Sequence, residues 1–187
     1  LRVTAPVIRI HRDATVDPLT GVSVRAEFER RLESAMADRR MLGSSTRLVV
    51  AALDLDGFKA VNDTFGHAAG DEVLAEFARR LRERLRSDDP FGRPGGDEFL
   101  LALRVPVSAD VHATFERLRE AAVDEPFEGS AGRYRIGVTI GVASHRSGET
   151  LKELLRRADR ALIDGKTIGK NRVYVASGDE PQHARAA

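Results

Sequence analysis

The spacing of apolar residues divides the chain into alternating helical and extended stretches. From Ser23 to about Arg40, the residues Phe28, Leu32 and Met36 recur at four-residue spacing among charges, the pattern of an amphipathic helix with one buried face. Leu48 to Leu55 reads LVVAALDL, an apolar run of strand length closing on two acids, Asp54 and Asp56. From His67 to about Arg86 the helical period returns in Val73, Leu74, Phe77, Leu81 and Leu85. There Arg79, Arg80, Arg82 and Arg84 crowd the C-terminal end, where the helix dipole favours cations.

Asp89-Pro90 and Pro94-Gly95-Gly96 punctuate the chain around Phe91, and an apolar strand runs from Phe99 to Leu103, so a tight hairpin is expected. Residues 108–122 predict a third helix, Tyr134 to Ala143 a strand, and Thr150 to about Gly165 a fourth helix. Its start carries the capping-box spacing of Thr150 and Glu153. Val173 to Val175 predicts a last short strand. Crossover helices mixed with antiparallel pairing predict an α+β fold, a central and mostly antiparallel sheet flanked by helices.

Composition narrows the picture. A chain of 187 residues, 42% hydrophobic and 32% charged, has the balance of a soluble globular protein and the length for one compact domain. Residues 1–16 read as linker and 177–187 as a polar tail, leaving 17–176 as the domain. A formal charge of +1 gives no global field for nucleic acid, so phosphate binding must rest on locally placed cations. The absence of cysteine suits a reducing, cytoplasmic setting. No stretch has the roughly 18 apolar residues of a membrane span. The start at Leu1 rather than Met predicts a piece of a longer protein, with room upstream for a further domain or an anchor.

Three clusters carry the chemistry. The first is Asp54-Leu55-Asp56-Gly57-Phe58-Lys59-Ala60-Val61-Asn62-Asp63, continued as Gly66-His67-Ala68-Ala69-Gly70-Asp71; the second is Gly95-Gly96-Asp97-Glu98-Phe99; the third is Ala158-Asp159-Arg160-Ala161-Leu162, then Lys166, then Gly169-Lys170-Asn171. Paired glycines before paired acids let the backbone turn tightly and approach a ligand. Asp97 and Glu98 are therefore candidates to hold a hard cation, and Asp54 at a strand end offers another carboxylate of the kind that holds Mg²⁺ near phosphates. Lys59, just past that strand, can offer a point charge to a triphosphate.

Together the clusters resemble the diguanylate cyclase (GGDEF) family, from Asp17 to Val175, including the opening Asp17-Pro18-Leu19-Thr20-Gly21. The resemblance implies the nucleotidyl-cyclase, ferredoxin-like (palm-like) form of the α+β fold and the condensation of two GTP into cyclic di-GMP with release of pyrophosphate. It implies two Mg²⁺ or Mn²⁺ ions per site on Asp54, the Leu55 carbonyl, Asp97 and Glu98, with Asp97 and Lys59 catalytic. Phe58, Lys59, Asn62, Asp71, Lys166 and Lys170 would bind substrate, with Asn62 and Asp71 reading guanine. Helix capping is the other reading of Asn62 and Asp71, and a complement to the helix dipole that of Lys166 and Lys170, which the pattern puts after the fourth helix. Arg86, Asp89 and Arg117 match the family's product-inhibition site, where cyclic di-GMP would act as feedback inhibitor. A homodimer needed for turnover and an upstream sensory domain complete what the resemblance implies; His67 stays outside catalysis.

Departures are few: Val24 before Arg25 where the family often has Asn, Pro94 before the glycines, and Ile163 for a common Tyr. Pro94 fixes φ and removes a backbone donor at the hairpin's entry. It keeps open a second reading, a weak or inactive module that binds GTP or cyclic di-GMP as a sensor.

Overall fold

The computed structural model describes residues 14–38 and 45–179. Its elements are β1 (Ser23–Val24), α1 (Arg25–Met36), β2 (Thr46–Asp56), α2 (Phe58–Phe65), α3 (His67–Arg82), β3 (Phe91–Gly95), β4 (Glu98–Pro106), α4 (Val111–Val123), β5 (Phe127–Gly129), β6 (Gly132–Tyr134), β7 (Gly137–Ser144), α5 (Leu151–Ile168) and β8 (Val173–Val175). The main sheet runs β1-β3-β4-β2-β7-β8, and β5 and β6 form a separate pair. The interior pairings β3–β4, β4–β2 and β2–β7 are antiparallel, and the two edge pairings are parallel. The expected α+β sheet flanked by helices is the architecture observed.

Strand β2 lies at the centre with both faces covered, which is why it reads as an unbroken apolar run rather than an alternating one. Val50 and Ala52 face α1 and α5, packing with Phe28, Leu32, Leu154 and Ala158. Leu53 and Leu55 face the other layer and pack with Val73, Phe77 and Phe115 of α3 and α4. The strand's apolar length ends where the carboxylates begin, so burial of β2 fixes the position of Asp54 and Asp56.

Several boundaries move. Helix α1 stops at Met36, and the residues around Arg40 lie outside the described ones. Helix α3 stops at Arg82, so Arg86 stands in the turn beyond it rather than at its end. Tyr134 to Ala143 is not one strand: Tyr134 pairs with Phe127 in the small hairpin, and the main sheet resumes at Gly137. The hairpin is held from a distance. Arg80 donates to the carbonyls of Ala122, Glu125 and Pro126 at 3.1, 2.6 and 2.8 Å and lies 4.3 Å over the Phe127 ring.

Parts of the expected linker and tail are tied down as well. Val16 bridges to Ser23, and the Thr15 carbonyl accepts from Val24 N. Asp179, with 4% of its side chain exposed, accepts from Ser144 N at 2.8 Å and pairs with Arg146 and Arg157. A buried carboxylate needs such partners, and they give the polar segment a reason to pack.

Glu76 organises the anchor on α3. It bonds Arg79 through both oxygens, at 2.7 and 2.8 Å, and Arg80 at 2.8 Å. The Arg79 hydrogen bonds first, and Arg80 after them, outweigh burial and hold its carboxyl down at about 2. The folded value lies below the unfolded one, so the stabilisation is whole above pH 4.5 and is lost as pH falls towards 2. Glu76→Gln should therefore cost about 1 kcal/mol at pH 7, solvent screening taking up the rest of the shift, and close to nothing near pH 2. Urea titrations of both proteins at the two pH values check it; an equal deficit at both would contradict the assignment.

Candidate active site

The site is built where β2 ends against the β3–β4 turn. Asp54 lies opposite Glu98 on β4 and Thr139 on β7. The turn itself is hooked to β2 through Leu55 N, which donates to the Asp97 carbonyl at 3.3 Å. Gly96 takes a left-handed φ of 57°, which a residue with a Cβ adopts only under strain. Its carbonyl accepts from Arg93 at 3.0 and 2.7 Å, and Arg93 also pairs with Asp17 at 3.2 Å.

Asp17 therefore does more than open the domain. Its carboxylate takes bonds from Thr20 N and Thr20 Oγ1 at 2.9 and 2.6 Å. Burial opposes its ionisation, but the Thr20 bonds and the Arg93 charge win and hold the carboxyl below its ordinary value. The chain Asp17–Arg93–Gly96 fixes the turn from the far end of the sequence. The cue was present in the entry motif, but nothing local connected it to the glycines.

Pro94 is accommodated. It stands in β3 between Gly92 and Gly95, where the β3–β4 register shifts and residues do not pair one to one. The donor it lacks is missing from an irregular stretch on the strand next to the edge, the setting in which proline is tolerated.

Asp54 is the electrostatic centre. Its side chain is 17% exposed, and Oδ1 lies 2.5 Å from Lys166 Nζ. Burial is the largest influence and raises its pKa; Lys166 pulls it down, while the charges of Asp97 and Asp56 push it up. The carboxylate at the end of β2 thus feels the one on the β3–β4 turn beside one lysine. Lys166 does not follow the fourth helix, as the sequence suggested. Helix α5 runs on to Ile168, and the lysine sits in its last turn with a carboxylate partner, not merely as a complement to the dipole.

Helices α2 and α3 follow directly from β2 and pack on each other. The α2 segment was expected only as chain following a strand; it is an eight-residue helix between Gly57 and Gly66, at φ 84° and 86°. Neither Asn62 nor Asp71 caps a helix: no side-chain cap bond forms at either start, and Asp71 lies beyond the first turn of α3. Instead the Asn62 amide oxygen is buried without a partner. A Cβ on Gly70 would stand 2.0 Å from that oxygen and 3.1 Å from Phe58 Cζ. Glycine there makes room for the Asn62 side chain beside Phe58, and Asp71, the next residue, is exposed. Lys59 is exposed in the first turn of α2, and Lys170 is exposed in the loop after α5.

The donors suit a divalent ion brought by a phosphate ligand. Among the described residues no group of three or more acidic, histidine or cysteine side chains gathers to hold a metal. Asp54, Asp97 and the Leu55 carbonyl are hard oxygen donors, and Glu98 is exposed beside them. Mg²⁺ is commonly held by one or two carboxylates with phosphate oxygens completing the shell.

Away from the turn, Arg86, Asp89 and Arg117 line one cavity of about 610 Å³ with Arg104 and Asp124. Asp89 Oδ2 accepts from Arg86 N at 2.9 Å. Burial, the largest influence, and the Asp88 charge keep the Asp89 carboxyl above its ordinary value. Residues brought together from α4 and from the turn before β3 are therefore neighbours in space.

Comparison with known proteins follows the same lines. The family model described as "Diguanylate cyclase, GGDEF domain" matches residues 14–172. The chain is 39% identical over 163 residues to the diguanylate cyclase DgcP of Pseudomonas aeruginosa, a match covering 87% of the chain and 24% of the relative. It is 38% identical over 163 residues to the response regulator PleD of Caulobacter vibrioides, covering 86% of the chain and 36% of that protein. The chain thus spans about a quarter to just over a third of these relatives. Among solved structures, the GGDEF domain of DgcB from Caulobacter crescentus, in complex with c-di-GMP, superposes with a TM-score of 0.79 at 32% identity, covering 90% of this chain and 99% of that one. The diguanylate cyclase SiaD of Pseudomonas aeruginosa, in complex with its activator SiaC, gives 0.75 at 38%, covering 87% and 62%. No helix among the described residues is long and apolar enough to cross a membrane.

Proposed function

The chain belongs to the GGDEF domain family of diguanylate cyclases, and on that premise we propose that it condenses two GTP into cyclic di-GMP. The observation that carries the reading is the carboxylate pair of Asp54 at the end of β2 and Asp97 on the β3–β4 turn, with Lys166 against the first. Such a group suits a ligand that brings both a divalent cation and extended negative charge.

In this reading the 3′-hydroxyl oxygen of one GTP attacks the α-phosphorus of another. A P–O bond forms there, the bond to the β-phosphate bridging oxygen breaks, and pyrophosphate leaves; two such steps close the ring. Asp97 accepts the hydroxyl proton. Asp54, the Leu55 carbonyl, Asp97 and Glu98 would hold two Mg²⁺ or Mn²⁺ ions per site, which would supply charge neutralisation and a more acidic hydroxyl. Lys59, Lys166 and Lys170 hold the phosphates and the charge that builds on them as pyrophosphate departs. Asn62 and Asp71 read guanine: a carboxylate accepts from N1–H and the exocyclic amine, a pattern adenine lacks, and Phe58 packs beside them. The unpartnered Asn62 amide oxygen supports that assignment.

One such site holds one nucleotide, so two domains must meet face to face. Initial rates of cyclic di-GMP formation from GTP and Mg²⁺ should rise with the square of protein concentration at high dilution. Proportionality to the first power down to the most dilute active samples would sink the two-domain requirement, and no product at any concentration would sink the cyclase reading. The cavity of Arg86, Asp89 and Arg117 would take the product as feedback inhibitor, and added cyclic di-GMP in the same assay tests it.

A further inference from the structure

Asp56 stands two residues beyond Asp54 on β2 and has no part in the chemistry above. We propose that it is a positioning residue, fixing the backbone of the loop that carries Lys170 and so setting where that lysine meets the terminal phosphates. The inference rests on the GTP reading.

The loop between α5 and β8 is held from several sides. Asp56 Oδ2 accepts from Asn171 N at 2.9 Å and from Thr139 Oγ1 at 2.8 Å. The same Asn171 N lies 3.1 Å from Thr139 Oγ1, and Thr139 is fully buried. The Asn171 side chain reaches back to the sheet: its Oδ1 accepts from Val138 N at 3.3 Å and from Arg119 of α4 at 3.1 Å. One residue before Lys170, the Gly169 carbonyl accepts from Tyr174 Oη at 2.7 Å. A Cβ on Gly137 would stand 2.7 Å from that of Asn171, so strand and loop are in close contact.

Two features go beyond ordinary loop anchoring. Asn171 is the one non-glycine among the described residues with a left-handed backbone, at φ 55°, a conformation that persists where its surroundings over-determine it. Asp56 keeps Oδ1 buried without a partner. A partly buried carboxylate with one oxygen unsatisfied is a poor device for stability alone. It is a good one for geometry: a charge-assisted bond to a single backbone N–H leaves the loop little freedom. Held between those anchors, Lys170 is exposed and aimed by its backbone alone.

The test is calorimetric binding of GMP and of α,β-methylene GTP with Mg²⁺, which cannot turn over. Asp56→Ala should weaken the triphosphate about tenfold, as loss of one charge-assisted contact does, and leave GMP unchanged. Asp56→Asn, which keeps an acceptor, should restore most of the loss. Lys170→Ala should show the same selective loss, and the double variant should be no weaker than Lys170→Ala. Equal losses for GMP and the triphosphate, or losses that add in full, would overturn the proposal. Should Asp56→Ala fail to fold, Asp56→Ser, whose shorter side chain falls short of Asn171 N, carries the same expectations. A wild-type chain that does not hold the triphosphate would bring down the GTP reading itself; one that holds it equally with and without Asp56 brings down this inference alone.

Discussion

Asp97→Asn is expected to reduce cyclic di-GMP formation by about a thousandfold, combining the loss of a proton acceptor with that of a cation ligand. The fold should not suffer. Asp97 sits on a turn whose shape is set by its own backbone bond to Leu55 and by Arg93 on the Gly96 carbonyl, and none of these needs the carboxylate. Its charge works against that of Asp54 in the free protein, so the variant should melt at the parent temperature or slightly above it. Chromatographic product assays beside thermal melts separate the two effects. Turnover within tenfold of the parent would remove Asp97 from the reaction, and a large fall in melting temperature would reassign it to structure.

The second large effect is on stability. Gly141 of β7 lies directly under α5: a Cβ there would stand 2.2 Å from Leu162 N, 2.3 Å from the Ala158 carbonyl oxygen and 2.7 Å from Leu162 Cα. All three are backbone atoms of a helix that cannot step aside without opening the packing of Leu154, Ala158 and Leu162 in the core. Gly141→Ala should therefore cost roughly 3 kcal/mol or more, a fall in melting temperature of roughly 10 °C for a chain of this size. Gly165→Ala is the comparison. Its Cβ would meet Tyr174 Cδ2 at 2.0 Å and Cγ at 2.4 Å, so relief needs the side chain to turn at χ1 and give up its bond to the Gly169 carbonyl; because only a side chain must move, the cost should be smaller than at Gly141. Equal losses would mean that α5 is less firmly seated than the close approach indicates. Because the same packing carries Lys166 to Asp54, Gly141→Ala should also lower activity in the protein that remains folded.

What the sequence showed and withheld follows from how local each feature is. The α3 helix was legible because Val73, Phe77 and Leu81 repeat with its period, and α5 because Thr150 and Glu153 form a capping box that is present in full. Helix α2 was not, because eight residues occupied by motif side chains bury only Val61 and leave no stripe to read. The β5–β6 hairpin was invisible for another reason: its strands have three residues each, and its anchor, Arg80, belongs to a helix more than forty positions earlier. In the site, Asp54, Asp97 and the lysines could be named from their motifs. The partnership of Asp54 with Lys166, the clamp from Asp17 through Arg93, and the engagement of Asp56 with Asn171 join residues far apart in the chain. No spacing rule spans such distances.

The sheet's margins bear on how copies of the domain can meet. Strand β1 at one edge has two residues and β8 at the other has three. Neither offers a length of unpaired backbone on which a neighbour could zip a continuing ladder. Molecules that approach one another are thereby denied the cooperative, hard-to-reverse adhesion that sheet edges invite, and encounters are left to side chains and to whatever ligand lies between them. A reaction that requires two domains to come together, exchange chemistry and part again needs that kind of brief, breakable contact.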